Sequence, residues 1–187
     1  MGTSAPMAST ALLVIDMLNT YEHEDAEALT QSVRRVLPNI IDFVDRARDE
    51  DDVDIVYVND LYGHWNAGRA ELLERVMGGE HRDLVEPIAP AEDALFIVKA
   101  RHSIFYETPL EYMLRQQGVE KLVLAGQVTE QCILYSALDA YIRHMEVVVA
   151  RDAVAHIHED LADAALKMME VNMRAEVVPA AECLRES

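Results

Sequence analysis

The chain has 187 residues, 51% of them hydrophobic and 27% charged, with a formal net charge of −18. That length supports one domain with a sizeable core, and the composition is that of a globular protein rather than a disordered one. The acidic balance argues against nucleic acid and anionic membranes as partners, because both need a basic face, and no apolar run approaches the roughly 20 residues that span a bilayer.

The opening stretch MGTSAPMAST has neither a basic segment nor an apolar core, so it is not read as a secretory signal. Residues 1–10 are expected to be a flexible lead-in, and residues 11–187 a single domain. The two cysteines, Cys132 and Cys183, form no CxxC and no disulfide framework, which suits a reducing, cytoplasmic compartment.

Taken in chain order, short apolar runs alternate with longer helical patterns. The run ALLVID at 11–16 is almost continuously apolar, as in a strand buried on both faces. Residues 26–50 read as a long helix that Pro38 is expected to break or kink. VDIVYVND at 53–60 is a second strand. Residues 61–90 mix aromatics, glycines and charges in a connection longer than usual, the kind that forms a lid or a pocket wall. LFIVKA at 95–100 is a third strand. A helix is expected over 109–117, with Thr108 as cap, Pro109 in its first turn and Gly118 as its stop.

KLVLAG at 121–126 is the fourth strand, and residues 130–144 carry a clean 3.6-residue apolar stripe. EVVVARD at 146–152 is the fifth strand, followed by a helix over 159–173. AEVVPA at 175–180 is a weaker sixth strand, held to an edge by Pro179. Alternating strands and helices predict an α/β, three-layer Rossmann-like domain, with a six-stranded, mainly parallel sheet flanked by helices.

In such sheets, ligands bind beyond the carboxyl ends of the strands. Asp16, Asn59, Asp60, Lys99, Arg151 and Asp152 stand at or near those ends, and the fourth leads through a loop to Cys132. Each has an ordinary explanation: Asp16 can cap a turn, Lys99 can snorkel to the surface, and Asp152 reads as a plain loop residue. Together they make a chemical set. A thiol becomes a nucleophile on losing its proton, which a cation and a helix N-terminus both favour. With Thr129 as N-cap, Cys132 falls in the first helical turn, where free N–H groups can hold an oxyanion. Lys99 supplies the cation, and Asp16 can take the proton and return it to a leaving group.

These motifs resemble the isochorismatase-like cysteine hydrolases, a family that includes nicotinamidases and N-carbamoylsarcosine amidase. LLVIDMLNTY is similar to the family's opening strand with its aspartate. The stretch from VKARHSIF to VVVARDAVA is similar to its central block. The resemblance implies an Asp16–Lys99–Cys132 triad. It also implies an oxyanion hole from the backbone of Thr129 and Cys132, and a cis peptide joining Val128 to Thr129. It implies hydrolysis of a small amide, carbamoyl or ureido compound without a cofactor, and a homodimer or homotetramer.

The sequence also departs from the family. Leu18 and Tyr21 stand where Gln and Phe are common, and Tyr62 in NDLYGHW replaces the first His of the nicotinamidase metal set. Asp60 fits that set but His64 is two residues late, so no metal site is expected. A cysteine at 132 argues for an amide-type rather than an ether-type bond; ether hydrolysis of the isochorismatase type and a non-catalytic, ligand-binding or redox-responsive role are the alternatives. Tyr21, Asp60, Tyr62 and Trp65 are the expected pocket residues, with packing against a second subunit as the equal alternative for the aromatics. His102 either faces the pocket or lies exposed, and His156 and His158 read as surface residues.

Overall fold

The computed structural model describes residues 9–64 and 68–185. Among them, six strands form one sheet in the order β3-β2-β1-β4-β5-β6, all parallel. The strands are β1 (Thr10–Ile15), β2 (Val53–Asp60), β3 (Leu95–Lys99), β4 (Lys121–Gln127), β5 (Glu146–Ala155) and β6 (Glu176–Val178). The helices are α1 (Ala26–Arg48), α2 (Arg69–Met77), α3 (Arg82–Val85), α4 (Leu110–Gln117), α5 (Leu134–Ile142) and α6 (Glu159–Asn172). Thr10, expected in the lead-in, instead opens β1, and the Ser9 carbonyl accepts the N–H of Lys121. No helix among the described residues is long and apolar enough to cross a membrane.

The continuous apolar runs follow from burial on both faces. Along β1, Leu12 and Val14 join Val33, Ile40 and Phe43 of α1 in one core. Ala11, Leu13 and Ile15 point the other way, into a core with Leu110 and Leu114 of α4, Ala137 of α5 and Met169 of α6. The period of two along the strand thus divides the helices into two layers. Each fully buried Leu, Ile or Phe contributes roughly 1.5–3 kcal/mol of apolar transfer.

Several local expectations are corrected. Pro38 does not break α1: it is exposed, between buried Leu37 and Ile40, so the carbonyl that loses its partner faces solvent. The long connection after β2 carries regular structure in its described part, supplying α2, α3 and a short 3-10 turn (Glu86–Ile88). Leu110, not Pro109, begins α4; Gly118 ends it in the left-handed region at φ 72°. β5 runs on to Ala155 through a register shift against β4, so Arg151 and Asp152 lie within the strand. Asp152 accepts the N–H of Ala180, a structural role that removes it from the rim.

Candidate active site

β1 and β4 are adjacent, and the strand order runs outward from them in opposite directions. Their carboxyl ends therefore form the switch point where parallel sheets open a crevice. Gly126 brings the two strands into close contact. It has φ 112°, and a Cβ there would lie 2.2 Å from the carbonyl oxygen of Ile15, so only glycine fits. One residue beyond Ile15, Asp16 turns off the sheet with φ 55°. Tyr21 and Tyr62 also hold left-handed backbone, at φ 58° and 49°. Non-glycine residues adopt that region at a cost of roughly 1–2 kcal/mol, so the segments around this crevice are set by their surroundings.

Lys99 comes from the end of β3, two strands away from Asp16, and its side chain is fully buried. Its Nζ lies 2.8 Å from Asp16 Oδ2, 3.6 Å from Asp60 Oδ2 and 3.6 Å from Cys132 Sγ. Asp16 Oδ1 accepts the N–H of Asp60 at 2.8 Å. The thiol of Cys132, 8% exposed, is close enough to Asp16 for the carboxylate to act on its titration. The structure therefore brings the three expected reactive groups together, with Asp60 as a fourth.

The electrostatics differ from the simple expectation of an acidified thiol. Burial pushes the Cys132 thiol far up; the Asp16 carboxylate adds to this, and Lys99 offsets only part of it. Burial also raises Asp16, against the opposing pull of Lys99. Burial opposes the charge on Lys99, but Asp16, Cys132 and Asp60 outweigh it and hold the ammonium above its ordinary value. At rest the site holds a neutral thiol facing a carboxylate whose affinity for a proton is raised.

Cys132 sits in a π-helical turn (Thr129–Ile133) that precedes α5. The Val128 carbonyl accepts two N–H groups, from Gln131 at 3.0 Å and Ile133 at 3.1 Å. The cis peptide is one residue earlier than expected: it joins Gln127 to Val128, not Val128 to Thr129. Thr129 does not cap the helix. Its hydroxyl donates to the carbonyl of Ala155 on β5, because the turn is packed against that strand's end.

Three buried polar side chains brace this arrangement. Asn59 accepts the N–H of Leu18 and donates to the carbonyls of Leu18 and Asp60. Gln127 donates to the Asp16 carbonyl at 2.6 Å. Glu130 Oε1 accepts the N–H groups of Ile157 and His158, tying the turn to the start of α6. Asn59 was legible only as a strand-end residue. Gln127 and Glu130 carried one sequence signal, a polar residue beside an otherwise apolar segment.

A cavity of about 290 Å³ opens over the sulfur, with Asp16, Asp60, Tyr62, His102, Gln127 and Cys132 among its walls. Asp60 and Tyr62 stand where expected. Tyr21 does not: it is buried behind the wall, its ring edge-on to His81 and its hydroxyl 3.5 Å from Gln127 Oε1. Trp65 lies outside the described residues. His64 borders a neighbouring hollow with Glu22, Glu71 and Arg75. His102 belongs to the pocket, its Nδ1 3.8 Å from the sulfur. Its loop is pinned to α5, where Ser136 Oγ accepts the N–H of Ile104 and Ser103 hydrogen-bonds Asp139.

A parallel α/β sheet that gathers a thiol, a carboxylate and an ammonium at its switch point defines the cysteine hydrolase class. The family profile for the isochorismatase domain matches residues 10–182, and the chain belongs to that family. It is 32% identical over 170 residues to the uncharacterized isochorismatase family protein YaaI of Bacillus subtilis, covering 91% of this chain and 93% of that one. It is 35% identical over 161 residues to a probable inactive nicotinamidase of Arabidopsis thaliana, covering 79% and 81%. Maleamate amidohydrolase of Pseudomonas putida is 29% identical over 158 residues, covering 80% and 74%. The crystal structure of an isochorismatase-like hydrolase from Alkaliphilus metalliredigens superposes with a TM-score of 0.75 at 26% identity, covering 94% of each chain.

Proposed function

We propose that the protein hydrolyses a small amide, carbamoyl or ureido compound through a thioester on Cys132. The observation that carries this reading is the meeting of Cys132 Sγ, Lys99 Nζ and Asp16 Oδ2, with separations of 3.6 and 2.8 Å, beneath a cavity of about 290 Å³. That volume lies at the low end of ligand sites, which suits a compact substrate.

In this mechanism the thiol loses its proton to Asp16 as sulfur attacks the carbonyl carbon. The raised proton affinity of Asp16 suits it to that transfer. Lys99 holds Asp16 in place and faces the sulfur as charge develops there. The backbone N–H groups of Thr129 and Cys132 receive the oxyanion. Asp16 then protonates the departing amine or ammonia, and water, giving its proton back to Asp16, resolves the thioester. Asp16 returns that proton to the sulfur as the thiol leaves.

The reading includes self-association. Leu138, Tyr141 and Ile142 on α5 and Leu161 and Val171 on α6 stand exposed, an apolar surface suited to a second copy. Light scattering after gel filtration measures that state.

The test of the activity compares wild type with Cys132→Ala on a panel of amides, carbamoyl compounds and ureido acids. Wild type is expected to turn over at least one of them and to give a trapped acyl adduct on Cys132 by mass spectrometry. Full activity in Cys132→Ala overturns the mechanism.

A further inference from the structure

The cavity over Cys132 has an unusual charge balance. Asp16, Asp25 and Asp60 line it, with His23 and His102 as the nitrogen bases on the wall among the described residues. Lys99, beneath it, is one cation facing two carboxylates, at 2.8 and 3.6 Å. That leaves the triad floor at a formal charge of −1 before Asp25 is counted. Burial, with Lys99 and Arg101 nearby, keeps the His102 imidazole below its ordinary value, so it adds no charge at neutral pH.

Asp25 sits at the start of α1 but does not cap it: its side chain makes no cap hydrogen bond. It is half-buried, and among the described residues it has no ion-pair partner. The loop carrying it, Glu22-His23-Glu24-Asp25, is itself acidic. The arginines near the site are occupied elsewhere or lie outside the wall. Arg75 faces the adjoining hollow beside Glu22 and Glu71, and Arg34 pairs with Asp83. Arg101 is exposed and is not part of the wall. Residues 1–8, 65–67 and 186–187 contain no Lys or Arg.

From this we infer that the substrate is an amide bearing a positive charge, an amino-amide whose ammonium group pairs with Asp25 while its carbonyl sits over the sulfur. The inference rests on the cavity over Cys132 being the substrate site. A carboxylate-bearing amide would place a third or fourth negative charge in a half-enclosed space whose wall, among the described residues, carries no lysine or arginine to receive it. Like-charge contact of that kind is a standard device for rejecting the wrong ligand. Asn19, Leu29 and Ile157 add only neutral groups to the wall, and of its three carboxylates Asp25 is the one Lys99 does not face, which makes it the specificity-determining group.

The experiment has two arms. In the first, Cys132 is modified with three methanethiosulfonates of similar size, 2-aminoethyl (cationic), ethyl (neutral) and 2-sulfonatoethyl (anionic). Rates are read by mass mapping of the Cys132 peptide and normalised to a free thiol in solution. The cationic reagent is expected to react about tenfold faster than the neutral one, and the anionic reagent slower still, with Asp25→Asn closing most of the cationic advantage. Equal rates, a faster anionic reagent, or an order unchanged by Asp25→Asn overturns the inference.

In the second arm, wild type is given 3-aminopropanamide, butanamide and succinamate, and kcat/KM is expected to fall in that order. Succinamate as the best substrate overturns the inference. If the reagents follow the expected order while no amide is cleaved, the charge selectivity of the pocket stands and the amide hydrolase reading falls.

Discussion

Asp16 and Lys99 meet at 2.8 Å although they leave strands that are not neighbours: β2 lies between β1 and β3, and Lys99 spans its end, passing 3.6 Å from Asp60. A buried pair of this kind is costly to break from one side. Lys99→Met leaves two carboxylates facing each other without a cation and is expected to lose about 3–5 kcal/mol of stability, together with turnover. The double variant Asp16→Asn, Lys99→Met should regain part of that loss while remaining inactive. Guanidinium unfolding of the two variants side by side measures it; a double variant no more stable than the single one contradicts the pairing.

The alkaline limb of stability reports the thiol. Folding raises Cys132 above its ordinary value of 9.0, first through burial, so above pH 9 the unfolded chain releases a proton that the native state keeps. The stabilising contribution is complete below pH 9 and declines as pH rises toward the folded value, by at most about 1.4 kcal/mol per pH unit for one proton. Cys183, pushed up to about 12 by burial, adds the same sign. Lys99 adds it again, in a window that opens above 10.5. Between pH 9 and 10.5, Cys132→Ala should lose less stability than wild type, and the Cys132→Ala, Cys183→Ala variant less still. Urea titrations at half-unit pH steps check this; parallel curves for all three proteins would refute it.

Glu130 is buried, and its Oε1 receives two N–H groups at 2.9 and 2.8 Å. Glu130→Ala leaves both donors without a partner and should cost about 2–4 kcal/mol, while Glu130→Gln keeps the accepting oxygen and should cost less than half of that. Thermal unfolding ranks the two. Because Ile157 lines the cavity, KM is expected to rise more than kcat falls in Glu130→Ala.

Gly126→Ala places a methyl 2.2 Å from the Ile15 oxygen in a strand whose φ already excludes side chains. The expected result is a loss of at least about 3 kcal/mol or failure to fold, measured as soluble yield and unfolding midpoint. Near-wild-type stability would mean that β1 and β4 can separate without penalty.

Much of this fold could be read from the chain because buried parallel strands write their own pattern. The runs at 53–60 and 95–100 match β2 and β3 almost residue for residue. Asp16, Lys99 and Cys132 were legible as a group because strand ends at a switch point converge by topology. What escaped was local. The expected kink at Pro38 failed because that residue faces solvent, a fact of tertiary placement. The π-helical turn shifted the role of Thr129, since its hydroxyl found the Ala155 carbonyl on a strand that the sequence pattern ended three residues early. Asp25, just before the helix expected over 26–50, drew no reading from the sequence because its carboxylate meets the cavity only in the folded chain.

The burial of Lys99 has a practical side. The chain contains three lysines, and the other two, Lys121 and Lys167, are partly or fully exposed. Reagents that couple to amines will find those two and spare the third, which is closed off and held as an ammonium by its carboxylates. The protein can therefore be dye-labelled or anchored to a support through Lys121, at the opposite end of β4 from the site, and Lys167 on α6, without blocking the chemistry the coupling is meant to study.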